Sequence, residues 1–143
     1  MVVNIGGRGG GKSYEGSKFV TIKAITEKKR VVVLRDEKTS ISDSILNEIK
    51  NRYIEINEKT NGYFDTIFDF NTHELKDKAT SNKLIFTKGF RASSNAKTAN
   101  LKSISDIDIS IIEEFEDITD EQAFNRFTDG IRNKDSLIFI NSN

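Results

Sequence analysis

The chain has no cysteine, no proline and no tryptophan, and it has a single histidine, His73, and a single methionine among its 143 residues. Without cysteine there is no disulfide and no thiolate metal site. One histidine argues against a histidine-based metal centre, and a surface position is the expectation for His73. Without proline, turns and helix ends must rest on Gly, Asn, Asp and Ser. Net charge is also lacking, because 22 Lys and Arg balance 22 Asp and Glu. Nothing global therefore points to nucleic acid, although a charged cleft can still act locally. No apolar run approaches the roughly 20 residues that cross a bilayer. No signal-peptide pattern opens the chain, and no internal repeat divides it. These features lead to the expectation of one soluble, intracellular domain over residues 1–143, long enough for a core of its own. Met1 and Asn143 fall against the first and last strands, so the sequence is expected to be a fragment, or one domain, of a longer protein.

What the chain does have is Gly6-Gly7-Arg8-Gly9-Gly10-Gly11-Lys12-Ser13. This fits G-x-x-x-x-G-K-[ST], a loop whose backbone N–H groups wrap phosphate oxygens. Glycine lets the main chain approach closely. Lys12 would reach the β- and γ-phosphates, and the Ser13 hydroxyl would hold Mg²⁺. Val2, Val3 and Ile5 form an apolar strand before the loop. A helical stretch from Lys12 to about Lys28 follows, and its N-terminal dipole end would face the phosphates. A flexible glycine loop without a ligand is the bland alternative.

Further along, Val31 to Leu34 is a continuous β-branched run, as in a strand buried on both faces. Thr39-Ser40 is a cap signal for a helix to about Ile56, with Ile41, Ile45, Ile49 and Tyr53 every four residues. Residues 57–80 carry no clear pattern apart from a break at Gly62 and a candidate strand within Tyr63 to Phe70. Leu84 to Phe86, Ile107 to Ile112 and Leu137 to Ile140 are further strands. Thr119 and Gln122 cap a helix through Phe124, Phe127 and Ile131. Strands alternating with helices predict an α/β fold with a mostly parallel central sheet, flanked by helices in three layers. Ligands then bind outside the carboxyl ends of the strands. There the chain places the glycine loop, Arg35-Asp36, Glu113-Glu114 and Asn141-Ser142-Asn143.

Hydrolysis needs a carboxylate near the metal and a group that activates water. Glu113 and Glu114 supply both types at a strand end, with Glu113 toward the metal and Glu114 toward the attacking water. A solvated acidic loop is the alternative, because Glu116, Asp117, Asp120 and Glu121 follow. Arg8 either neutralises charge on the γ-phosphate or points to solvent. Arg35 either touches nucleotide or pairs with Asp36 or Glu37. Residues 78–105 hold six basic residues and no acid, whereas 106–121 hold eight acids and no base. The basic stretch would suit sequence-blind phosphate contacts, a solvated face or an acidic neighbour.

In their order and spacing these pieces resemble the large terminase subunit of tailed bacteriophages, the DNA-packaging motor ATPase. The resemblance rests on Asn4 through Ser13, Val31 to Arg35, Leu84 to Phe90, Lys102-Ser103-Ile104, Ile111 to Glu114 and Phe139 to Asn143. It covers nearly the whole chain and matches the N-terminal ATPase half of the family. It implies a P-loop NTPase of the branch whose catalytic glutamate adjoins the metal acid, using ATP and Mg²⁺. Glu114 matches the catalytic base, Glu113 and Ser13 the metal positions, Lys12 the phosphate lysine and Arg8 the arginine of the loop. Asn141, Ser142 and Asn143 match the motif that couples γ-phosphate loss to movement. Implied partners are double-stranded DNA, the portal protein and a small terminase subunit, with the large subunits in a ring in the host cytoplasm. Arg126 and Arg132 are candidates for an arginine acting on a neighbour. Nothing in the sequence matches the family's nuclease domain. A nucleotide-binding module that switches assembly without turnover is the other reading.

Overall fold

The computed structural model describes residues 2–4, 11–35, 45–89, 106–113 and 137–141. In chain order these give β1 (Val2–Asn4), α1 (Gly11–Glu27), β2 (Val31–Arg35), α2 (Ile45–Lys59), a 3-10 turn (Phe64–Thr66), β3 (Phe68–Phe70), β4 (Leu75–Asp77), β5 (Lys83–Gly89), β6 (Ile109–Glu113) and β7 (Leu137–Asn141). The described strands form one mixed sheet in the order β1-β7-β6-β2-β5-β4-β3. The first five run parallel to one another, and β4 and β3 extend the sheet antiparallel.

The apolar runs explain the centre of the sheet. Val31 to Leu34 are all fully buried, as are Ile111 and Ile112 of β6. Val31, Val33, Ile109 and Ile111 join Val20 and Ala24 of α1 and Ile45 and Ile49 of α2 in one core cluster. Val32, Leu34, Ser110 and Ile112 occupy the alternate positions and are buried too. Both faces of these strands are therefore covered, as a continuous β-branched run requires. The helix expected over Thr119 to Ile131 lies outside the described residues.

The two helices bury their faces differently. On α2, Ile45, Leu46, Ile49 and Tyr53 form the inner stripe. The helix ends at Lys59, a turn later than its periodicity predicts. There Asn61 and Gly62 take left-handed φ values of 57° and 78°, and the Gly62 N–H donates to the Asn57 carbonyl at 2.8 Å. Nothing lies within 4 Å of a Cβ built at Gly62, so conformation rather than space is what glycine satisfies there. On α1 the buried stripe contains Ser17, Val20, Thr21, Ala24 and Ile25, while Phe19 and Ile22 remain 39% exposed. Ser17 Oγ donates to the Tyr14 carbonyl at 2.9 Å, and Thr21 Oγ1 donates to the Ser17 carbonyl at 2.6 Å. Small side chains that bond their own helix let α1 lie close to α2. Thr21 Oγ1 also lies 3.4 Å from the Ile49 carbonyl.

The least patterned stretch of sequence becomes the antiparallel extension. Phe68 and Leu75 are buried, Tyr53 packs against Phe70 with centroids 5.3 Å apart, and Tyr53 Oη donates to Asp65 Oδ1 at 2.7 Å. Burial, aided by that carboxylate, pushes the Tyr53 hydroxyl well above the usual phenol range.

Charged groups bind the amino edge of the sheet. Arg30 precedes β2, and its N–H donates to Asp108 Oδ2 at 2.9 Å. Its carbonyl accepts from the N–H groups of Asp108 and Ile109 at 2.9 and 3.0 Å. Its guanidinium donates to the Lys83 carbonyl at 3.1 Å, pairs with Asp106 and lies 5.2 Å from the centre of the Phe86 ring. One residue thus joins the starts of β2, β5 and β6. Nearby, Lys28 closes α1 with φ 54° and its ammonium donates to Asp77 Oδ2 of β4 at 2.9 Å.

Candidate functional site

Strand register decides what meets at the opposite, carboxyl edge. Asn4, Ile140, Ile112, Leu34 and Lys88 are Cα partners along one row across β1, β7, β6, β2 and β5. One residue further on, Asn141 pairs with Glu113, and Arg35 pairs with Gly89. Adjacent strands lie about 4.8 Å apart. With β7 between them, β1 and β6 are therefore roughly 10 Å apart, two strand spacings. The end of β1 and Glu113 at the end of β6 are therefore neighbouring points.

α1 completes the arrangement. Its last turn and Lys28 are tied to the amino edge, and its 17 residues span about 25 Å at 1.5 Å each. A crossover of this length between parallel strands starts from the carboxyl edge. Gly11, Lys12 and Ser13 are its first residues, where backbone N–H groups have no partner within the helix. Of the site residues expected from sequence, Gly11, Lys12, Ser13, Glu113 and Asn141 fall at this edge by backbone position. Gly6, Gly7, Arg8, Gly9, Gly10, Glu114, Ser142 and Asn143 lie outside the described residues, as do Arg126 and Arg132.

The residue after Ser13 has a partner on α2. The Arg52 guanidinium carbon lies 4.1 Å from the centre of the Tyr14 ring. Arg52 Nη2 pairs with Glu55 Oε1 at 3.2 Å, and Tyr14 Oη lies 3.5 Å from Glu55 Oε2. The Arg52 side chain is only 15% exposed, and its Nε has no hydrogen-bond partner. Sequence reasoning passed over both residues. An arginine in the middle of a surface helix carries no pattern that marks a partner 38 positions earlier.

Other charged residues are spent on the protein itself. The Lys28 ammonium, then the Ala79 N–H, hold the Asp77 carboxyl below its ordinary value. Burial works to raise the Glu74 carboxyl, but Lys76 and Lys83, at 3.1 and 3.2 Å, outweigh it and lower it. Lys78 donates to the Asp65 carbonyl at 2.6 Å. Lys78 and Lys83 of the basic stretch are thus engaged within the domain. His73 sits in an exposed turn, as expected. Among the described residues no three His, Cys, Asp or Glu side chains gather as a metal cluster, and no helix is long and apolar enough to cross a membrane.

A family model described as the phage terminase large subunit matches residues 1–143. No curated protein matches the chain. Among solved structures, the phi-28 DNA packaging motor is similar at 15% identity with a TM-score of 0.61, over 99% of this chain and 46% of that one. The large terminase ATPase domain of Thermus phage P74-26 is similar at 13% identity and a TM-score of 0.63, over 99% of this chain and 58% of that one. The N-terminal domain of the DNA packaging ATPase from bacteriophage phi29 gives 14% identity and a TM-score of 0.62, over 99% and 72%. At these identities the likeness is one of fold. The chain spans about half the length of the first two of these structures.

Proposed function

Because the chain belongs to the phage terminase large-subunit family, we propose that it is an ATP-hydrolysing motor domain that drives double-stranded DNA into a procapsid. The observation that carries this reading is the register at the carboxyl edge. It supports a site in which the loop leaving β1 and the acid ending β6 face one triphosphate across β7.

In this reading residues Gly6 to Ser13 form the phosphate loop. Backbone N–H groups and the first turn of α1 bind the phosphate oxygens, and Lys12 offsets their charge. Ser13 and Glu113 would hold Mg²⁺. One hydroxyl and one carboxylate suit this ion, which takes few protein oxygens and completes its shell with water and phosphate. When bound, the ion would neutralise charge on the β- and γ-phosphate oxygens. Glu114 accepts a proton from the attacking water as its oxygen bonds to phosphorus and the bond to the β–γ bridging oxygen breaks, giving ADP and phosphate. Arg8 stabilises the charge that spreads over the transferred group. Asn141, Ser142 and Asn143, at and beyond the end of β7, respond to loss of that group. Portal protein, a small terminase subunit and further copies in a ring are the proposed partners, and the host cytoplasm the proposed location.

The test is Mg²⁺-dependent ATP hydrolysis in the full-length protein. Glu114→Gln is expected to slow turnover by about a thousand-fold while nucleotide still binds. A Glu114→Gln protein that hydrolyses at the parent rate removes the assignment. A parent protein that holds ATP intact for many minutes would instead be a non-hydrolysing switch.

A further inference from the structure

We propose that Arg52 is a positioning residue for the nucleotide site, acting through Tyr14 on the first turn of α1. The proposal rests on the reading above, that this turn binds phosphate and metal. Tyr14 follows Ser13 directly, so the orientation of its ring is coupled to the backbone that carries Lys12 and Ser13. The Arg52 guanidinium lies 4.1 Å from the centre of that ring, within cation–π distance. Glu55 holds the guanidinium from the side at 3.2 Å and approaches the Tyr14 hydroxyl at 3.5 Å. Ser17 Oγ donates to the Tyr14 carbonyl at 2.9 Å, so the same residue is also held from its main chain.

Packing alone gives no reason for an arginine at this place. Its side chain is 15% exposed and its Nε lacks a hydrogen-bond partner, an unfavourable state for a buried donor. An apolar residue of similar length would fill the space without that penalty. What arginine adds is a flat cation with a fixed plane, which a lysine ammonium does not reproduce. The plane sets the angle of the Tyr14 ring, and with it the start of α1. Sites of this kind are sensitive to such shifts, since a displacement of about 1 Å can cost on the order of a hundred-fold in rate.

The experiment compares Arg52→Met, Arg52→Lys, Tyr14→Leu and Lys12→Ala in the full-length protein. It measures kcat, KM for Mg-ATP, the Mg²⁺ concentration giving half-maximal rate, and the melting temperature. Arg52→Met is expected to melt close to the parent temperature, because removing the unpaired Nε offsets loss of the Glu55 pair and the ring contact. Its kcat should fall roughly ten- to a hundred-fold, and more Mg²⁺ should be needed as Ser13 drifts. Arg52→Lys should fail to restore kcat. Tyr14→Leu should match Arg52→Met, and the double variant should lose little more than either alone. Parent kcat in Arg52→Met, or a kcat loss that follows a lowered melting temperature and returns on cooling, overturns the proposal. If Arg52→Met misfolds, Tyr14→Leu decides the matter by the same criteria. Lys12→Ala separates the two readings. If it too turns over at the parent rate, the nucleotide site itself is misassigned; if it is inactive while Arg52→Met and Tyr14→Leu are not, this inference alone fails.

Discussion

At the amino edge of the parallel strands, charge is consumed in holding the strands together. Arg30 reaches β5 and β6 at once, and Lys28 pins the end of α1 to β4. At the carboxyl edge the same strands deliver Asn141, Glu113 and Arg35 side by side, with the start of α1 alongside. The two edges are linked by register. A slip of one residue would turn every side chain of a strand to the other face. The contacts at one edge therefore decide which residues align about five positions later at the other. Contacts at one end of the strands are thus a condition for the alignment of residues at the opposite end.

The comparison predicts that variants at the two edges separate activity from stability. The largest effect belongs to the carboxyl edge. Lys12→Ala should lower ATP hydrolysis by about a hundred-fold or more, with little change in melting temperature; a variant that retains hydrolysis would remove the contrast. Midway along the strands, Ile111→Ala should cost about 2–5 kcal/mol in chemical denaturation, because Ile111 is fully buried where β2, β6 and β7 meet. At the amino edge, Arg30→Ala should cost about 1–3 kcal/mol. Most of that loss would come from the Lys83 carbonyl and the Phe86 ring. Asp106 is 65% exposed, so Asp106→Ala should stay within about 0.5 kcal/mol of the parent. Equal losses in these two variants would mean that the ion pair, not the strand contact, holds the edge.

The subtlest prediction concerns acid. The folded protein holds the Asp77 carboxyl below its unfolded value. Its contribution is present above the ordinary aspartate pKa of about 3.9 and is lost as pH falls through the lower folded value. Asp77→Asn should therefore melt below the parent at neutral pH, and the gap should close as melting is followed below about pH 4. A gap that is constant with pH would assign the role of Asp77 to shape rather than charge.

Much of this was legible where one residue type repeats. The Val31–Leu34 run, the four-residue spacing on α2 and the polar residues after each parallel strand located the sheet, the helix and the carboxyl edge. Of the antiparallel extension only β3 was legible, inside the candidate strand within Tyr63 to Phe70; β4 and the pairing were not, because β3 and β4 are three residues each and their partners are set by tertiary contact. On α1, Phe19 and Ile22 stay partly exposed while Ser17 and Thr21 share the buried face with Val20, Ala24 and Ile25, because their hydroxyls bond back to the helix. Arg30 bonds residues 53 to 78 positions away, and Arg52 meets a ring across two helices. No local pattern encodes such pairs. Of the site itself, sequence located the strand ends, while the lateral order that makes Glu113 a near neighbour of β1 came from the sheet.

That lateral order acts as a ruler. β7 is hydrogen-bonded to β1 on one side and to β6 on the other, so neither can approach or retreat without tearing a ladder. The span between them is built in before any ligand arrives. If the proposed motor activity holds, whatever travels during its cycle must ride with the sheet as one block or belong to chain past the ends of its strands.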